Sequence, residues 1–187
     1  MTALYIIIVT IMLLIIMVAA TYNGLVRLRN QVRNAWAQID VQLKRRYDLI
    51  PNLMETVKGY MKHERETLEA VTNARNLAQG GSGASVGERS KMEGELSSAL
   101  AKLMVVVENY PDLKANQNFL ALQEELTSTE NKISFSRQYY NDSVLRFNNK
   151  VQMFPSNMIA GMMGFKTGEF FEVTATAERE APKVNFT

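Results

Sequence analysis

The sequence predicts an all-α protein: an N-terminal transmembrane helix followed by an up-and-down four-helix bundle. Three observations carry that expectation. An uncharged, mostly aliphatic run extends from Ala3 to Ala20. Beyond it, apolar residues recur every three or four positions, the spacing that builds one sticky face on a helix. Finally, 187 residues contain only four prolines and ten glycines, with 47% hydrophobic side chains, a balance that favours ordered helices over disorder.

The Ala3–Ala20 run has the length of a membrane span. As a helix it measures about 27 Å, close to the ~30 Å hydrocarbon core of a bilayer. Tyr5 and Tyr22 bracket it, where amphipathic rings favour the two interfaces. A cleaved signal peptide is the competing reading, because Val18-Ala19-Ala20 resembles a small-residue cleavage site. That reading wants a basic leader and a shorter apolar core, and no Lys or Arg precedes the run. Arg27, Arg29 and Arg33 follow it and are the candidate contacts for lipid headgroups. Basic residues stay inside, so the N-terminus is expected to face out and the bulk of the chain to lie in the cytoplasm of a bacterial cell, at its inner membrane. The expected organisation is a periplasmic tip and membrane helix over 1–22, an antiparallel bundle over 23–154, and an apolar C-terminal segment with a polar tail over 155–187.

Within the bundle the first stripe reads Leu25, Leu28, Val32, Trp36, Ile39, Leu43 and Ile50, and the second Leu53, Val57, Tyr60 or Met61, Leu68, Val71 and Ala78. Gly-Gly-Ser-Gly at 80–83 reads as a flexible connector. The third stripe is Met92, Leu96, Leu100, Leu103 and Val107; the fourth is Phe119, Leu122, Leu126, Ile133, Tyr140, Val144, Phe147 and Val151. Pro51 and Pro111 divide these runs in pairs. Each marks either a kink in a long helix or the first turn of a new one, and the residues leave both open.

After Pro155 comes Met158-Ile159-Ala160-Gly161-Met162-Met163-Gly164-Phe165, without one polar side chain, and Phe170 and Phe171 follow. The segment is too short to span a bilayer. It either closes the end of the bundle or presents an adaptable Met-rich surface for a partner. Met158, Ile159, Met162, Met163, Phe165, Phe170 and Phe171 are the candidate oligomer or partner contacts.

Composition excludes several chemistries. Without cysteine there is no disulfide framework, thiolate metal site or Cys nucleophile. The single histidine, His63, cannot build a multi-His site, and Tyr60 and Thr67 stand where di-iron and zincin motifs need partners. The glycine run lacks the Lys-Ser/Thr of a phosphate loop. A net charge of +2 gives little counterion release, which argues against nucleic acid. No catalytic residue, metal, cofactor or small-molecule substrate is expected.

Charged residues on the apolar stripes are the remaining anomaly. Arg46 falls between Leu43 and Ile50, Glu130 and Arg137 flank Ile133, and Glu64 and Arg75 interrupt the second stripe. One account is a buried ionic layer pairing Arg46 with Glu130, and Asp40 or Glu64 with Arg137, whose best-attested benefit is fixing register. The other is that long side chains lay their methylenes over the core and keep their heads wet.

Several segments carry a family likeness. Tyr22-Asn23-Gly24-Leu25-Val26, then Ala35-Trp36, and Gln38-Ile39-Asp40-Val41-Gln42-Leu43-Lys44-Arg45-Arg46 with Asp48-Leu49-Ile50-Pro51-Asn52-Leu53, resemble the bacterial LemA family. So do Val57-Lys58-Gly59-Tyr60, Glu108-Asn109-Tyr110-Pro111-Asp112-Leu113-Lys114, Thr129-Glu130 to Tyr140-Asn141, and Phe154-Pro155-Ser156-Asn157. The resemblance covers nearly the whole chain. It implies a single-pass inner-membrane protein with a cytoplasmic up-and-down four-helix domain, which favours hairpins over kinks, and it implies no reaction or cofactor. The expected function is a membrane-anchored, homo-oligomeric scaffold that acts by contact, with an accessory subunit of a membrane protease or transporter as the alternative.

Overall fold

The computed structural model describes residues 1–172. Of the polar tail expected over Glu172–Thr187, residues 173–187 lie outside the described residues. Among the described residues every regular element is a helix: α1 (Thr2–Lys58), α2 (Arg65–Gly80), α3 (Val86–Val107), α4 (Pro111–Lys114), α5 (Gln117–Gln152) and α6 (Ser156–Met162), with a 3-10 turn at Gly81–Gly83 between α2 and α3. The chain divides into two compact units. Residues 1–40 and 134–170 form the first; residues 41–133, with Phe171 and Glu172, belong to the second.

In the second unit α1 continues through Pro51 to Lys58, so the chain turns not at the proline but at Gly59–Glu64. Proline has no N–H to offer the carbonyl four residues earlier, here that of Tyr47. Arg75 of α2 supplies the missing donor: its Nε donates to the Tyr47 carbonyl at 2.8 Å. One contact thus explains a proline inside a helix and an arginine on the apolar stripe of α2. It also fixes α2 antiparallel to the end of α1.

The remaining reversals follow from local sequence. The 80–83 stretch is a tight turn rather than a loose linker. Gly81 is buried, and a Cβ there would lie 2.7 Å from the Met92 sulfur. Ser85 then caps α3, its Oγ accepting from the Glu88 N–H while the Glu88 carboxylate accepts from the Ser85 N–H, a reciprocal capping box. Pro111 opens the short α4 in the turn between α3 and α5. α2 and α3 pack on each other across the short turn that joins them and line one groove together, and α3 and α5 line another, where Ser97 of α3 lies beside Glu130 of α5.

In the first unit the leading part of α1 is exposed along its whole apolar run, from Ala3 to Ala20. Packing begins after it. Leu25, Phe147 and Ala160 form a buried cluster, with Leu28, Val32, Val151 and Phe165 against it. Trp36 and Tyr140 meet as tilted rings, 5.2 Å between centroids and 58° between planes. α6 ends in a Schellman turn: Gly164 takes φ +70°, Phe165 N–H donates to Ala160 O at 2.9 Å, and Gly164 N–H to Gly161 O at 3.3 Å. The chain that follows lies along α5, because the Asn148 amide both donates to Gly168 O (3.0 Å) and accepts from Gly168 N–H (2.8 Å). Tyr140 Oη donates to Glu169 O at 2.9 Å.

Candidate functional site

Two places carry chemistry beyond plain helix packing, one in each unit. In the second unit α1, α3 and α5 enclose a charged cluster. Arg46 is 1% exposed. Its planar fork reaches two carboxylates on two other helices: Nη2 to Glu93 of α3, and Nη1 to Glu130 of α5 at 2.7 Å. Nη1 also donates to Ser97 Oγ at 2.8 Å. Tyr47 donates its phenol proton to Glu93, and Arg89 Nε lies 3.9 Å from the same carboxylate. Two arginines and two glutamates therefore balance, as burial in low dielectric requires. Burial, and then the Glu93 carboxylate, push Tyr47 well above the usual tyrosine range. A phenol so held keeps its proton.

Arg46 and Glu130 come together in this cluster. The other candidate stripe charges do not join it. Glu64 sits at the turn between α1 and α2, where it accepts from Tyr110 Oη at 3.1 Å. Burial, then this carboxylate, raise the Tyr110 phenol above its ordinary value. Asp40 and Arg137 are half-buried in the first unit.

The partner that the stripes concealed is Glu93, 4% exposed. Residues 89, 93, 96, 100, 103 and 107 form one buried row on α3, whereas Met92 stands beside it and is only half-buried. The expected third stripe is buried from Leu96 to Val107; only its first residue, Met92, stands aside, and the row continues instead through Glu93 and Arg89.

Ser97 and Glu130 line a groove of about 240 Å³, where Ser97 Oγ accepts from Arg46 Nη1 at 2.8 Å and donates to Glu130 at 3.5 Å. His63 is exposed at the α1–α2 turn. Among the described residues no group of His, Cys, Asp and Glu is placed to hold a metal ion.

The second place is the exposed apolar surface of the first unit. One helix among the described residues, α1, is long and apolar enough to cross a membrane, and none of its apolar window is buried. Of the candidate contact residues, Met158, Met162, Met163 and Phe170 are exposed, with Met162 at 82%. Ile159 and Phe171 are buried, at 6% and 2%; α6 turns Ile159 and Ala160 inward. Phe165 is half-buried, edge-on to Tyr22 (5.9 Å) and to Phe147 (6.4 Å). Arg29 lies over the Phe165 ring at 5.2 Å from its centroid, so this candidate headgroup contact is also a packing residue. Arg27 and Arg33 are exposed.

The chain is similar to proteins of several bacteria. It is 29% identical over 154 residues to Protein LemA of Metamycoplasma hominis, an alignment covering 81% of this chain and 69% of that protein. It is 23% identical over 175 residues to Magnetosome protein MamQ 2 of Paramagnetospirillum magneticum, covering 81% of this chain and 64% of that one. Magnetosome protein MamQ of Magnetospirillum gryphiswaldense is 22% identical over 174 residues, with 80% and 64% covered. The chain thus spans somewhat less than two thirds of the MamQ proteins. None of these names is that of an enzyme, and with the exposed apolar helix they point to a membrane-associated protein. The model of the LemA family matches residues 35–186, and this chain belongs to that family.

Proposed function

We propose that this protein is a membrane-anchored helical scaffold of the bacterial inner membrane that acts by contact and catalyses nothing. The observation that carries the reading is the fully exposed apolar run at the start of α1, continuous as one helix with the packed residues that follow. An apolar helix that length, left uncovered by its own chain, asks for a bilayer. Basic residues on one side only, Arg27, Arg29 and Arg33, support an orientation with the N-terminus outside and the bulk of the chain in the cytoplasm.

The contacts of α1 with α2, of α2 with α3, and of α3 with α1 and α5 support an up-and-down four-helix arrangement for the domain. Such a domain offers outer helix faces, and tethering to a membrane raises the effective concentration of copies, so that weak lateral contacts along the first helix assemble a homo-oligomer. Names such as Magnetosome protein MamQ among the relatives fit a role in organising a membrane rather than in a reaction.

Native mass analysis of the full-length protein, extracted gently from its membrane, tests this. A discrete homo-oligomer is the expected result. A bare monomer would refute the scaffold, and a monomer with a stoichiometric second protein would replace it with an accessory subunit.

A further inference from the structure

The first unit places a second segment of the chain at the depth of the membrane helix. Met163, just past α6, lines one shallow groove of about 480 Å³ together with Leu14, Ile15, Val18, Ala19 and Tyr22 of α1. Those α1 residues are the last turns of the apolar run and the tyrosine that ends it. A bilayer that covers Val18 and Ala19 therefore covers Met163 with them.

From this geometry we infer that α6 and its flanks are embedded in the interfacial layer of the bilayer as a second membrane contact. The inference rests on the anchor reading above and names what covers the apolar C-terminal segment: lipid acyl chains of the leaflet next to Tyr22. α6 is held for this task from inside. Ile159 and Ala160 point into the core, the single Ser156 hydroxyl proton is shared between the Lys150 and Met153 carbonyls, and the turn at Gly164 folds Phe165 onto Tyr22 and Phe147.

The side chains left outside are Met153, Phe154, Met158, Met162 and Met163. Unbranched thioethers adapt to disordered acyl chains. Aromatic rings at Phe154 and Tyr22 suit the interface, and Lys150 and Lys166, both exposed, supply charge for anionic headgroups. A helix of seven residues could not bind a membrane by itself. Here the neighbouring span has already brought it to the surface, so its apolar face adds to an existing anchor.

The natural chain has no cysteine, so single labels are placed cleanly. Full-length Met162→Cys, Val9→Cys and Lys102→Cys are each labelled with an environment-sensitive fluorophore in vesicles of phosphatidylcholine and phosphatidylglycerol. Quenching by nitroxides on the acyl chains is compared with quenching by aqueous iodide. The expected result is a blue-shifted Met162 label, quenched by shallow acyl nitroxides and protected from iodide, with Val9 lipid-quenched at greater depth and Lys102 in water. A Met162 label that iodide quenches as it does Lys102, with Val9 still in lipid, overturns the embedding while leaving the anchor. A Met162 label protected from both quenchers overturns it in favour of a protein cover. A Val9 label in water overturns the anchor reading, and the embedding falls with it.

Discussion

In the first unit Leu25, Phe147 and Ala160 meet through apolar surface, and Arg29 lies over the Phe165 ring at their edge. In the second unit the fork of Arg46 binds carboxylates on α3 and α5, and Tyr47 adds a phenol to the same Glu93. Apolar packing is non-directional and lets helices adjust by small slides. A buried fork between two carboxylates has one good geometry and penalises every other. The contrast assigns tolerance to the unit that carries the apolar membrane helix, and register to the unit whose helices are pinned at the centre.

The largest effect that tests this contrast is Glu93→Ala. It takes one of two carboxylates from the Arg46 fork and the acceptor from the Tyr47 phenol in the interior, and removing one partner of a buried pair costs about 3–5 kcal/mol. Glu130→Ala should cost less, because the Glu130 side chain is 35% exposed and water can replace it. Chemical unfolding of the two variants reads the difference. If Glu93→Ala shifts the midpoint no more than a surface substitution, the charged cluster is not what holds the second unit in register.

Next in size is the contact between Arg75 and the Tyr47 carbonyl. Arg75→Ala leaves that carbonyl without its donor, for a loss of about 1–3 kcal/mol. In a Pro51→Ala background residue 51 regains an N–H that can serve the same carbonyl, so the loss should shrink. A double-mutant cycle measures the coupling. Additive losses would show that Arg75 does not compensate for the proline.

The proline case shows what was legible in the sequence and what was not. Periodicity marked Leu53 and Val57 as buried and Pro51 as a division, but the division depends on a side chain from another helix. A reader of local sequence meets a helix breaker; the structure meets a breaker whose missing hydrogen bond arrives from α2. The apolar rows of α1 and α5 were legible because long helices repeat their register many times, and Arg46 and Glu130 stood out against them. Glu93 was hidden because the row on α3 begins with two charged residues, 89 and 93, and a search for apolar spacing takes the neighbouring Met92 in their place. The burial of Ile159 was hidden for a related reason. In a run with no polar side chain, such as 158–165, periodicity has nothing to contrast with, and only the packing of Ala160 against Leu25 and Phe147 fixes which side of α6 turns in.

A smaller effect in the first unit sharpens the comparison. Gly164 occupies the left-handed region at φ +70°, where a side chain costs about 1–2 kcal/mol. Gly164→Ala should destabilise by that amount and loosen Phe165 from Tyr22 and Phe147, and Gly164→Asn should cost less because asparagine tolerates this conformation better. Equal losses for both would mean that backbone strain is not the cause.

The smallest expected effects are two pH dependences of opposite sign, one per unit. Tyr140, in the first unit, is pushed up from 10.0 to about 12, chiefly by burial. Its neutral form is the one the fold favours, so its contribution is complete below the unfolded value and is lost as pH rises from about 10 toward 12. Glu88, in the second unit, is held below the usual glutamate value by its hydrogen bonds from Ser85, the backbone N–H first. The charged form is favoured there, so this contribution is present above the unfolded value and is lost as pH falls through the depressed one. Glu88→Gln should flatten the acid side of a stability–pH curve and leave the alkaline side alone, while Tyr140→Phe should do the reverse. Because Glu88 is on the surface its arm is shallow, and Ser85→Ala, which removes the cap itself, should lower stability by about 1 kcal/mol at neutral pH. A Glu88→Gln protein whose acid limb stays as steep as the wild type would place the acid sensitivity elsewhere.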